Sequence, residues 1–68
     1  MNVNMFKGAI RSCGLTQAEA AKKIGISASR FNAKANNWNG AEFNLSDIRA
    51  LKQVLGLSAE QVDQIFFT

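Results

Sequence analysis

Apolar residues recur along this chain at intervals of three and four, the period of helices with one buried face. Phe6, Ala9, Ile10 and Cys13 share such a face, and Gly14 supplies a left-handed stop, predicting a first helix over roughly residues 4–13. Thr16 stands before Gln17-Ala18-Glu19 at the spacing of a reciprocal cap, in which Thr16 takes the third amide and Glu19 reaches back. The alanine-rich stretch 17–24 then has high helix propensity, with Ala20, Ala21 and Ile24 inward and Gly25 as its end. Ser27 caps a third helix over about residues 28–36, anchored by Phe31 with Ala35 as a second inward candidate.

Residues 36–40, Asn-Asn-Trp-Asn-Gly, predict a loop, because Asn and Gly tolerate turn conformations and Asn side chains compete with helical hydrogen bonds. Ser46, with Asp47 in the first turn, is expected to open a fourth helix striped by Ile48, Leu51, Val54 and Leu55 and closed by Gly56. Leu57 precedes the cap Ser58, and Val62, Ile65 and Phe66 face inward from a fifth helix. Nothing alternates over a length that predicts a strand. The expectation is an all-α, five-helix, single domain spanning residues 1–68.

Composition narrows the class. Apolar residues make up 47% of the chain, which favours a folded globule over disorder. Cys13 is the sole cysteine, so no internal disulfide forms, and buried apolar filler is its expected role. No apolar run is long enough to span a membrane, and Met1-Asn2-Val3-Asn4 lacks the pattern of a secretory signal, so the expected location is the cytoplasm. There is no histidine, and the five carboxylates sit at surface-like helix positions; Glu19 is a cap rather than an acid catalyst. Neither an enzyme nor a site for a metal, cofactor or small-molecule ligand is expected.

Charge changes the picture more than composition does. Residues 1–41 carry Lys7, Arg11, Lys22, Lys23, Arg30 and Lys34 against Glu19 alone, whereas residues 42–68 carry Arg49 and Lys52 against Glu42, Asp47, Glu60 and Asp63. The first part could therefore face a polyanion, although lysines on helices also serve as plain solvated surface. Two helices joined only by Gly25-Ile26-Ser27 must cross steeply. Ala20, Ala21 and Gly25 are small enough for that contact, with Ile24, Ile26 and Phe31 filling the space between the helices. The remaining positions of helix 28–36 are small or hydrogen-bonding. Such a face suits the DNA major groove: Arg pairs with guanine, Asn with adenine, and Ser with several edges, while helix amino termini at Gln17 and Ala28 offer amides to phosphates. An ordinary solvated helix would look similar, and the tight turn is what favours DNA.

The stretch LTQAEAAKKIGISASRFNAKANN (residues 15–37) resembles the helix-turn-helix of phage lambda-repressor/Cro-like regulators. Leu15, Thr16, Gln17, Ala21, Gly25, Ile26, Ser27, Ser29, Phe31 and Asn32 match that pattern in register. The tail FNLSDIRALKQVLGLSAEQVDQIFF (43–67) resembles the last two helices of small repressors from phages and prophages of Gram-positive bacteria, so the likeness covers roughly residues 5–67. It implies a lambda-repressor-like DNA-binding domain acting as a Cro- or repressor-type transcriptional regulator on a double-stranded operator, in the cytoplasm and at the nucleoid of a bacterial host. It also implies that Gln17 binds a phosphate at the groove edge and that Ser27, the cap of the recognition helix, belongs to the DNA-binding set. Ala28, Ser29, Arg30, Asn32 and Ala33 would face bases, Lys34 would lie on the flank near phosphate, and Asn36 and Asn39 would anchor the backbone from the following loop.

Two positions depart from the family pattern. Ala28 replaces what is often a long polar residue, which shifts expected base reading toward Ser29, Arg30 and Asn32. Asn37 stands where glycine is common, and is followed by Trp38, which is expected to pack against the domain rather than on DNA. At the other end, a helix cannot bury both Phe66 and Phe67 on one face. Phe66 is the core candidate. Phe67 with Ile65 could form a homodimer patch, or the terminus could fold back on the domain. That end also keeps open a rival role, an antirepressor-like protein-interaction module working through the Ile65/Phe67 surface.

Overall fold

Asn2, Thr16, Ser27, Asn44 and Ser58 each accept a hydrogen bond from the amide three residues on, at 2.8–3.1 Å, and each opens a helix. The computed structural model describes residues 1–67. It contains α1 (Val3–Ser12), α2 (Gln17–Ile24), α3 (Ala28–Ala35), α4 (Leu45–Leu55) and α5 (Ala59–Phe66), with one short 3-10 turn, Trp38–Gly40, between α3 and α4. No strand occurs among the described residues, and the chain is all-α.

At α2 the reciprocal cap forms as its spacing predicts, Thr16 N donating to Glu19 Oε1 at 2.9 Å. The start of α4 differs from expectation: its cap is Asn44, not Ser46. Asp47 lies three residues after Asn44 and accepts its amide at 3.1 Å, closing a reciprocal pair. Three residues after Ser46 is Arg49, which cannot return that bond. The third helix ends at Ala35, with Asn36 as its C-cap.

Four phenylalanines from distant parts of the chain meet at the centre. Phe6, Phe31, Phe43 and Phe66 have ring centroids 5.2–6.2 Å apart, in tilted or edge-on pairs. Ile10, Ala20, Ala21, Ala35, Leu51, Leu55, Leu57 and Ile65 are buried around them. Phe43 has no helical periodicity to announce it, since it lies in the extended connection before α4. Ile65 is only 2% exposed, so it belongs to the core and is absent from any surface patch; Phe67, at 61%, remains outside. Cys13 is exposed rather than buried, because α1 stops at Ser12 and Cys13 leaves its apolar stripe. Its thiol donates to the Leu55 carbonyl at 3.4 Å.

The turn between α2 and α3 corrects one inference. Ala20 and Ala21 are buried, as close packing requires, but a Cβ at Gly25 would meet nothing within 4 Å. Glycine is needed there for its φ of +82°, not for space. The chain closes on itself where Asn2 N donates to the Ile65 carbonyl at 2.7 Å. No helix among the described residues is long and apolar enough to cross a membrane.

Candidate nucleic-acid interface

Eight residues of α3 give a rod about 12 Å long. Phe31 and Ala35, one turn apart, are fully buried and fix which side faces the core. Helical spacing then puts Ser29, Asn32, Ala33 and Asn36 on the opposite stripe. These four residues line a shallow, open groove with Trp38. Ser27, Ala28 and Arg30 are exposed at the leading end of the same helix. Arg30 lies outside the groove, on the flank that also carries Lys34. No hydrogen bond or ion pair engages its guanidinium among the described residues.

The groove is internally braced. Asn36 Nδ2 donates to the Asn32 carbonyl at 2.9 Å and to Asn32 Oδ1 at 3.0 Å, while Asn36 Oδ1 accepts from Lys7 Nζ at 3.1 Å. The Asn32 amide is thereby held with its Nδ2 unspent and one acceptor position of Oδ1 still open. Lys7, on α1, was not a sequence candidate, and no local pattern announces it; only the fold brings it to the end of α3.

Lys34 is the clearest departure from the sequence expectation. Its ammonium does not project from the flank. It meets Asp47 Oδ2 at 2.7 Å, with side chains 13% and 11% exposed. The same carboxylate oxygen accepts the Asn44 amide, so Asp47 caps α4 and ties it to α3. A lysine in that position is a strut rather than a free charge.

Trp38 also departs from expectation. It is 67% exposed, on a turn whose flanking Asn37 and Asn39 both have φ of +52° and whose Gly40 has +78°. Asparagine tolerates this left-handed region better than other side chains do, which accounts for Asn37 where glycine is common in the resembling family. The turn is pinned by Asn37 Nδ2 to the Ala41 carbonyl at 3.1 Å and by Ala41 N to the Trp38 carbonyl at 2.9 Å. Asn39 is exposed on it.

Gln17 is half-buried at the first position of α2, which packs directly on α3. Glu19 in that first turn is held below its ordinary carboxyl range, chiefly by the Thr16 amide, then by the Thr16 hydroxyl and the positive charge of Lys23. The first turn of α3, by contrast, carries no acid. From Ala20 to Ala41 the chain has four cations and no carboxylate, and Lys22, Lys23 and Arg30 among them are exposed. With Lys34 paired to Asp47, the exposed cations of this run are Lys22, Lys23 and Arg30, beside the neutral hydrogen-bonding groups of α3. No group of three potential metal ligands occurs among the described residues. No family model, curated protein or solved structure matches this chain.

Proposed function

We propose that this protein binds double-stranded DNA in a sequence-dependent way, with α3 in the major groove and α2 and α3 acting as a helix-turn-helix of lambda-repressor type. The observation that carries this reading is the division of α3. Phe31 and Ala35 take one side into the core, and Ser29, Asn32, Ala33 and Asn36 present a slim polar face on the other. A major groove about 12 Å wide admits one helix, provided its outer residues are this small. Positive charge around that face supplies the sequence-independent attraction. The resemblance of residues 15–37 to phage repressors and Cro proteins supports the same role, transcriptional regulation at an operator.

Selection of bound sequences from a random duplex library, followed by titration of the selected duplex against a scrambled one, tests this. The selected duplex is expected to bind more tightly, and Arg30→Ala to weaken it by about 1–3 kcal/mol while relaxing preference at one base pair. Equal, weak binding of both duplexes that is indifferent to Arg30→Ala would remove the reading.

One observation favours a second reading, a protein-interaction module. The exposed Phe67 ring borders a groove lined by Met1, Asn37, Glu42, Phe43, Ile48 and Phe66. With Ile65 buried, that surface rests on Phe67 and this groove.

A further inference from the structure

We infer that Trp38 is a neutral anchor for one DNA strand, its ring lying against deoxyribose and its indole N–H directed to a phosphate oxygen beside the C-terminal end of α3. This rests on the DNA reading of α3 and adds a contact that reading does not require. Three observations support it. The indole shares one groove with Ser29, Asn32, Ala33 and Asn36, so whatever those side chains touch lies within reach of the ring. Two left-handed asparagines and a glycine shape the turn, Asn37 Nδ2 pins it to the Ala41 carbonyl, and the ring on it is 67% exposed. Lys34 is taken by Asp47, so the charge at this end of α3 is the Lys7 ammonium on Asn36, and the indole offers a neutral contact beyond it.

An indole suits that place. One edge is a broad apolar surface and the other carries a single donor, matching a sugar ring followed by a phosphate. It brings no charge and releases no counterion, so its contribution to affinity is independent of salt. Exposed Lys22, Lys23 and Arg30 on α2 and α3 give charge complementarity to the phosphates of a duplex as the occupant.

Trp38 is the sole tryptophan and the chain has no tyrosine, so its emission reports this position alone. Binding of the selected duplex is measured by anisotropy of a label on the DNA, and acrylamide quenching of Trp38 is measured with and without saturating duplex. The expected results are at least twofold lower quenching in the complex and affinity reduced about 5- to 30-fold by Trp38→Ala, a loss that reaches up to the hot-spot threshold. Trp38→Phe is expected to retain part of the affinity, and the logarithmic salt slope of Trp38→Ala to equal that of the parent. Thermal melts check that both variants fold, as an exposed side chain should allow.

Tight duplex binding with unchanged quenching and a Trp38→Ala affinity within twofold of the parent would overturn the inference and leave the DNA reading standing. A shallower salt slope in Trp38→Ala would overturn the neutral character of the contact. A concentration-dependent fall in quenching without DNA would assign the indole to a second copy of the chain instead. Absence of any sequence-dependent duplex binding would remove both the DNA reading and this anchor.

Discussion

Lys34 and Arg30 stand one helical turn apart on the same flank of α3, yet their surroundings differ. Arg30 is exposed with its guanidinium unpaired among the described residues, whereas Lys34 is drawn onto Asp47, whose side chain is 11% exposed. Removing one partner of such a pair leaves the other poorly solvated and unpaired. Lys34→Ala is therefore expected to destabilise the fold by about 1–3 kcal/mol, read by denaturant unfolding, with the salt slope of duplex binding unchanged. Were it instead to leave stability intact and make that slope shallower, the lysine would be a phosphate contact and the strut assignment wrong. Sequence spacing could place Lys34 on a flank. It could not reveal that Asp47, thirteen residues later, would arrive at the same place. Trp38 failed for a related reason: large aromatics are usually buried, but burial here was already supplied by four phenylalanines, one of them the aperiodic Phe43.

At the scale of elements, most of the fold was readable because helices are punctuated locally. Thr16/Glu19 and Ser58 act within three residues of themselves, and Gly25 and Gly56 end helices through left-handed backbones that few other residues adopt. The cap of α4 falls on Asn44 rather than on the expected Ser46, where Asp47, three residues on, returns the bond. The candidate surface was partly readable for the same reason. Phe31 and Ala35 orient α3 by spacing alone, but the Asn36 bridge to Lys7 depends on how α1 packs. The cap of α2 carries a pH dependence. Glu19 is held below its ordinary value of 4.5, so the folded state gives up its proton more readily than the unfolded chain. Its stabilisation is complete above that ordinary value and is lost as pH falls through the lowered one. Unfolding measured near pH 7 and near pH 3 is thus expected to show a smaller acid-induced loss in Glu19→Gln than in the parent. An equal loss would mean that the cap does not titrate in this range.

The whole molecule measures 27 × 24 × 21 Å, with a radius of gyration of 10.6 Å, close to the ~11 Å expected of a packed chain of this length. On the proposed DNA reading, a domain so small has room for one DNA-facing surface, and two-fold pairing is a common way to read two half-sites about one helical turn apart. The exposed end at Phe67 is one apolar surface such pairing could use, beside Trp38 and Leu45. Any association through it is expected to be abolished by Phe67→Asp, as measured by analytical ultracentrifugation over a range of protein concentrations. A parent that stays monomeric throughout, or a variant that associates equally well, would remove this end from consideration.

The split of α3 between Phe31, Lys34 and Ala35 on one side and Ser29, Asn32, Ala33 and Asn36 on the other has an evolutionary consequence. Three positions hold the helix in the molecule, and nearly all the others can mutate with little penalty to folding. On the DNA reading proposed above, preference for a duplex sequence can therefore change by single substitutions while the architecture stays constant.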